Sequence, residues 1–295
     1  MDIWQGRNDH EEGEGGKRWH QVMQSYDGTQ KTALLGFACD AGVARNQGRI
    51  GAAEGPDALR KMLANLPVLR RVPADAGNIV CQGDALEAAQ AAYADQVAAM
   101  IRAGTLPIGL GGGHEIAFAA GIGLHQALPD ARLGIINIDA HLDVRIDARP
   151  SSGTPFRQLA DAFSYRYACL GASRFANTRS LFARAENMGA WVVEDTALLD
   201  LPWLEVEAEI RHFINTVDAI YLTLDLDVLP AAVMPAVSAP AAFGLPLPLV
   251  EKMVRVVLAS GKVRLCDVAE YNPRYDIDGH GARTAARLVA LMAGN

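Results

Sequence analysis

Cysteine is scarce: Cys39, Cys81, Cys169 and Cys266 are all that 295 residues contain, and no two stand in a CxxC pairing. They read as small residues buried in or beside strands rather than as a redox or zinc motif. Long apolar runs are missing as well, so no segment is expected to span a bilayer. The opening stretch, Met1 to Glu12, is acidic and has no apolar core, which argues against a secretory signal and for the cytoplasm. Positive charge is in deficit, with 27 Lys plus Arg against 34 Asp plus Glu and a formal net charge of −7. That balance speaks against nucleic acid or an anionic membrane as partner and leaves a small molecule. Absent too are a GxSxG elbow, a GxGxxG turn and the Lys-Ser/Thr ending of a phosphate loop.

Half of the residues are hydrophobic, enough for one large α/β domain. Apolar runs predict strands at 33–37, 78–82, 106–110, 135–138, 167–171, 191–194, 219–223 and 263–269. Between them, helical spacing predicts helices at 85–103, 115–125, 178–188, 204–216, 248–258 and 283–292, and another beginning near Phe156. Strands and helices alternate without a break in composition. The pattern predicts a three-layer α/β/α fold with a mostly parallel sheet of about eight strands. Residues 1–30 are polar and Gly-rich around Trp4 and Trp19, and are expected to form a surface arm on a single domain, 31–295. Residues 40–54 form a long loop with two arginines, fit for ordinary turns or for the wall of an active site.

The chemistry gathers where predicted strands end. Asp139, His141 and Asp143 follow the run Ile135–Ile138 at a spacing of two, which in an extended chain sets all three on one face. Asp225 and Asp227 follow Ile220–Leu224 in the same way. His114 and Glu115 follow three glycines after the strand at 106–110. The glycines are expected to let the backbone approach a ligand closely. Open parallel sheets place ligands beyond the carboxyl ends of their strands. Carboxylates packed together repel one another unless a cation joins them. Four aspartates and two histidines divide most economically between two ions that hold a water between them, and one imidazole per ion with oxygen elsewhere favours Mn²⁺ over Zn²⁺. Hydrolysis at a planar carbon is the reaction class expected.

The blocks Gly111-Gly112-Gly113-His114-Glu115, Asp139-Ala140-His141-Leu142-Asp143, Asp225-Leu226-Asp227 and Glu270 with Asn272-Pro273 resemble the signature blocks of the ureohydrolases, the arginase and agmatinase superfamily. Matching blocks run from the first strand to the last helix. The resemblance implies an arginase-like fold and a cofactor of two Mn²⁺ per subunit. It implies that His114, Asp139, Asp143 and Asp225 hold one ion and that Asp139, His141, Asp225 and Asp227 hold the other. It also implies a homo-oligomer.

Within that superfamily the segments 45–56, 151–157 and 229–232, and GGGHE rather than GGDHS, are most similar to the branch that hydrolyses N-formimidoyl-L-glutamate to L-glutamate and formamide in histidine degradation. Other branches carry a histidine near Phe156; here there is none. A substrate with two carboxylates needs cations, and Arg49, Arg145, Arg157 and Arg174 lie on segments expected to rim the cleft. Glu270 matches the family's substrate-facing glutamate and would meet the protonated amidine. Asp143 is the candidate proton donor to the leaving nitrogen. The sequence departs from the family at Ala236, which stands where a glycine is usual; if that glycine has positive φ, alanine requires a local adjustment. A guanidine hydrolase of the arginase, agmatinase or guanidinobutyrase type and a catalytically silent metal-binding protein are the competing readings.

Overall fold

The computed structural model describes residues 3–294, so the outermost positions of the expected arm and domain, Met1, Asp2 and Asn295, lie outside the described residues. Eight strands form one sheet: β1 (Thr32–Ala38), β2 (Ala74–Val80), β3 (Leu106–Leu110), β4 (Leu133–Ile138), β5 (Arg166–Ala172), β6 (Trp191–Glu194), β7 (Ala219–Asp225) and β8 (Val263–Ala269). Their spatial order is β2-β1-β3-β8-β7-β4-β5-β6, and every strand pairing is parallel. Central strands covered on both faces need side chains that bury in either direction. β4 and β7 are accordingly buried at every position, whereas the edge strands β2 and β6 are half-buried along most of their length.

Alternation along β1 sends Leu34 to one face, into the core shared with the helices Gly55–Leu63, Trp203–Asn215, Leu247–Ala259 and His280–Ala293. Ala33, Leu35 and Phe37 point the other way, into the core beneath the helices Leu86–Arg102, Ile116–Ala127, Pro155–Ala162 and Arg179–Asn187. The expected three layers result. On the second face the helices Leu86–Arg102 and Ile116–Ala127 press together at Gly123, where a β-carbon would stand 2.6 Å from the Ala94 carbonyl oxygen.

Sheet order decides where the chemistry lies. From β3 the chain passes over two places to start β4, and the gap is filled later by β7 and β8. Four adjacent strands, β3, β8, β7 and β4, therefore present their carboxyl ends as one rim, although they are scattered through the sequence.

Several boundaries differ from the sequence expectation. β2 starts at Ala74 rather than 78. The preceding Arg60 is buried and grips Asp75, with Nη2 2.9 Å from Oδ1, which fixes the strand's entry. The segment 40–54 contains a helical turn, Ala41–Arg45, and a short helix at Asp195–Asp200 had no sequence signal. The arm is tied in rather than loosely laid on the surface: Trp19 is wholly buried, and the Trp4 indole donates to Asp75 Oδ2 at 2.7 Å. All four cysteines are free, three of them buried. Among the described residues no helix is long and apolar enough to cross a membrane. Removing a buried indole loses its burial energy and leaves a cavity, so Trp19→Ala is expected to lower stability by about 3–5 kcal/mol. Urea unfolding of the two proteins measures it.

Candidate metal centre

The loop after β3 is threaded rather than draped. The amides of Gly112 and Gly113 donate to the carbonyls of Phe37 and Cys39 at 2.8 and 2.9 Å, and that of Gly111 donates to Val268 at 2.8 Å. A β-carbon at Gly112 would lie 1.7 Å from the Cys39 carbonyl oxygen. The glycines thus allow close approach to the ends of β1 and β8. Their path delivers His114, buried, over the sheet.

There His114 Nδ1 lies 3.2 Å from Asp139 Oδ2, 3.0 Å from Asp143 Oδ2 and 3.1 Å from Asp225 Oδ2. A second cluster holds His141 Nδ1 2.9 Å from Asp227 Oδ2 and 3.7 Å from Asp139 Oδ1. His114, Asp139, Asp143 and Asp225 form one group able to hold a metal ion, with candidate ligand atoms within 4.8 Å of one another; Asp139, His141 and Asp227 form another. Asp139 belongs to both groups. Asp225, expected in both, is gathered only into the first.

The backbone reaches this arrangement by a different route from the extended alternation that the spacing suggested. β4 ends at Ile138, and the Asp139 carboxylate then accepts the amide of His141 at 2.6 Å. Asp225 likewise accepts the amide of Asp227 at 2.9 Å, within a short 3-10 turn. Each is an aspartate turn closed onto the residue two places on. Asp143 takes φ of 49°, and Glu270, at the end of β8, takes 71°. Such left-handed backbone costs a non-glycine residue about 1–3 kcal/mol and tends to be retained where it aims a side chain. Glu270 Oε1 accepts the amide of His114 at 2.8 Å, while its Oε2 has no protein partner.

Electrostatically the cluster is unsatisfied by protein alone. Burial, then the Asp227 and Asp139 carboxylates, push Asp225 well above the ordinary carboxyl range. Burial, then Asp225 and Glu115, do the same to Glu270. Asp227 rises to about 6, chiefly through burial. Burial followed by Asp139 raises Asp143. Asp139 moves the other way: burial opposes its charge, but the His114 and His141 imidazoles outweigh that and hold it low. The Asp227 carboxylate draws His141 well up. Burial alone would lower His114, yet the Asp139, Asp143 and Asp225 carboxylates crowded around it reverse the sign. The buried atoms His114 Nδ1 and Asp227 Oδ1 find no hydrogen-bond partner of their own. Such a donor set, all carboxylate oxygen and imidazole nitrogen, suits a hard divalent cation. The nearby Cys169 thiol is pushed up by burial and stays protonated, donating toward the His141 carbonyl at 3.4 Å.

A cavity of about 300 Å³ opens above the cluster, lined by His114, His141, Asp143, Asp225, Asp227 and Glu270 below and by Asn46, Gln47, Arg145, Ser152, Asn177 and Ser238 around its wall. Of the four arginines expected at the rim, Arg145 alone lines it. Its guanidinium has no ion-pair or hydrogen-bond partner among the described residues. Arg157 pairs instead with Asp161 on its own helix, Arg174 pairs with Glu194, and both lie off this cavity. Arg49 donates to the carbonyls of Pro235, Val237 and Ser238 and stacks 4.0 Å over Tyr275, so it braces the wall rather than facing the interior. Ala236, in that braced segment, is buried at ordinary negative φ and needs no adjustment. Phe156 sets its ring edge-on to His114, with centroids 5.6 Å apart. The wall residues Asn46, Gln47, Ser152, Asn177 and Ser238 were missed as site residues, although Asn46, Gln47 and Ser152 lie in the segments 45–56 and 151–157 that carried the resemblance.

The sequence profile of the arginase family matches residues 30–294. This chain belongs to the arginase family. Among family members, it is 52% identical to a formimidoylglutamase of Ralstonia nicotianae across 98% of this chain and 94% of that one. Identity is 49% to a formimidoylglutamase of Chromobacterium violaceum, over 98% and 96%. In the arginase fold, the crystal structure of Trypanosoma cruzi formiminoglutamase with Mn²⁺ superposes with a TM-score of 0.83 at 26% identity, covering 94% of this chain and 98% of that one.

The crowded acids predict how the metal-free protein responds to pH. Stability tied to the protonated Asp227 carboxyl is fully present below its ordinary 3.8 and is lost as pH rises through about 6. His141, also raised, contributes stability below its ordinary 6.5 that disappears as pH climbs through its higher folded value. Both act in the same direction. The melting temperature of the metal-free protein is therefore expected to fall between about pH 5 and 8, and the increment on adding Mn²⁺ to grow over that interval. Thermal melts with and without the ion check both slopes.

Proposed function

We propose that the protein hydrolyses N-formimidoyl-L-glutamate to L-glutamate and formamide, using two Mn²⁺ ions per subunit. The observation that carries the reading is the unpaired Arg145 guanidinium on the wall of a cavity whose floor is the paired carboxylate and imidazole cluster. Identity near 50% over almost full length to formimidoylglutamases supports the choice of substrate. In this reading His114, Asp139, Asp143 and Asp225 would hold one ion, and Asp139, His141, Asp225 and Asp227 the other. When bound, the pair of ions supplies a hydroxide nucleophile near neutral pH and polarises the carbon it attacks.

The chain's own groups do the remaining work. Arg145 takes a carboxylate of the glutamyl end through its planar fork, with Asn46, Gln47 and Ser238 offering hydrogen bonds beside it. Glu270, aimed by its left-handed backbone, receives the N–H face of the amidinium through Oε2. Water adds to the formimidoyl carbon, and Asp143 passes a proton to the glutamate nitrogen. The C–N bond then breaks, leaving the amine of glutamate and formamide. Phe156 keeps the floor around His114 dry. The reading also carries a cytoplasmic homo-oligomer with no nucleic-acid partner, which light scattering and fractionation test.

Metal-loaded protein is expected to release formamide and glutamate from N-formimidoyl-L-glutamate and to lose that activity on chelation. Release of urea from arginine or guanidinobutyrate with the formimidoyl substrate left intact would favour a guanidine hydrolase. Stoichiometric metal without turnover of any amidine would favour a silent binding protein. Arg145→Gln is expected to raise KM by about 10–100-fold with kcat nearly unchanged, because it removes a charge-assisted hydrogen bond made equally in ground and transition states. Steady-state kinetics of the variant decide whether Arg145 has that role.

A further inference from the structure

Beneath the metal cluster lies a second, wholly buried polar layer that the reaction does not use directly. In sheet register Gly109 of β3 pairs with Asp267 of β8, Asp267 with Thr223 of β7, and Thr223 with Asn137 of β4. Residues in register on adjacent parallel strands project to the same face, so these side chains stand in one row across the sheet. Asp267, Thr223 and Asn137 are all 0% exposed. No lysine or arginine pairs with Asp267 among the described residues. An acid buried without a cation is costly unless its oxygens are fully hydrogen-bonded and the arrangement serves something.

With the Asp267 carboxylate ionised, the hydrogen bonds along the row have only one consistent direction. Asp267 Oδ2 accepts the Tyr221 hydroxyl at 2.5 Å, and its Oδ1 accepts the Thr223 hydroxyl at 2.6 Å. The single proton of Thr223 is thereby committed to Asp267. Its oxygen, left as an acceptor, faces His114 Nε2 at 3.0 Å. His114 must then donate from Nε2, so that in the neutral imidazole the lone pair is left on Nδ1, the atom that faces Asp139, Asp143 and Asp225. Gly109 makes the row possible: a β-carbon there would lie 2.5 Å from Asp267 Cβ and 2.7 Å from the Tyr93 hydroxyl.

We infer that Thr223 and Asp267 are positioning residues that lock the tautomer and ring orientation of His114, holding Nδ1 as the electron-pair donor toward a divalent cation. The inference rests on the reading of the cluster as a manganese site. Asn137 serves the neighbouring ligand in a parallel way, its Nδ2 donating to Asp139 Oδ2 at 2.9 Å while Tyr167 holds the amide from behind. The polar row thus orients a histidine and an aspartate ligand from below.

The test measures Mn²⁺ binding to the full chain by equilibrium dialysis and calorimetry, with circular dichroism and metal-free melting as folding controls. Thr223→Val keeps the shape but has no acceptor; Thr223→Ala removes the acceptor without any risk of a clash; Thr223→Ser keeps it. Expected are an affinity about 10–100-fold weaker for Thr223→Val and Thr223→Ala and one near wild type for Thr223→Ser, the size usual for loss of an outer partner of a metal-bound histidine. A folded Thr223→Val or Thr223→Ala protein that binds Mn²⁺ as tightly as wild type overturns the inference. Wild-type protein that binds no Mn²⁺ overturns the functional reading instead, so the two failures are distinguishable.

Discussion

Mutual repulsion among acids is the constraint around which this molecule is built. Asp139, Asp143, Asp225, Asp227 and Glu270 converge at one rim with two imidazoles set among them. Burial raises the penalty, since a carboxylate withdrawn from water must find either a proton or a positive partner. The surrounding fold accepts this tension because, apart from the polar row directly beneath the cluster, the sheet packs apolar side chains into a large core on each face. Stability is drawn from the two large cores, and the rim can be held in a configuration that protein atoms alone do not satisfy.

Much of the architecture was legible because the strands carry their own signal. Apolar runs such as Leu106–Leu110 and Val263–Ala269 match the observed strands residue for residue, since a strand inside a covered sheet has few ways to look otherwise, and the half-buried edge strand Trp191–Glu194 matches as well. β2, with Asp75 and Asn78 inside it, was placed too late because its start is set by Arg60, a partner from another element. The helix Asp195–Asp200 is too short for a periodic pattern to emerge.

The cluster was legible for a reason that the structure revises. Spacing by two singled out residues that the structure gathers into one cluster, yet the geometry behind it is an aspartate turn rather than an extended ribbon, and φ at Asp143 is positive. Both conformations place i and i+2 near one another, which is why the residues were found through the wrong intermediate. The arginines were harder. Arg157 stands four residues before Asp161, a helical pair visible in the sequence, whereas the Glu194 partner of Arg174 and the carbonyl partners of Arg49 depend on tertiary neighbours. Thr223 and Asp267 were invisible for the same cause. One polar residue inside an apolar run is unremarkable until sheet order shows what stands beside it.

The glycine thread after β3 limits how this part of the chain can vary over generations. At Gly112 the obstructing atoms belong to the Cys39 main chain, which every amino acid shares, so no exchange of the residue at position 39 can clear room for a side chain. Drift is closed off there unless the end of β1 itself is rebuilt. The segment is thus frozen by the path of the neighbouring backbone, independently of whatever chemistry His114 performs.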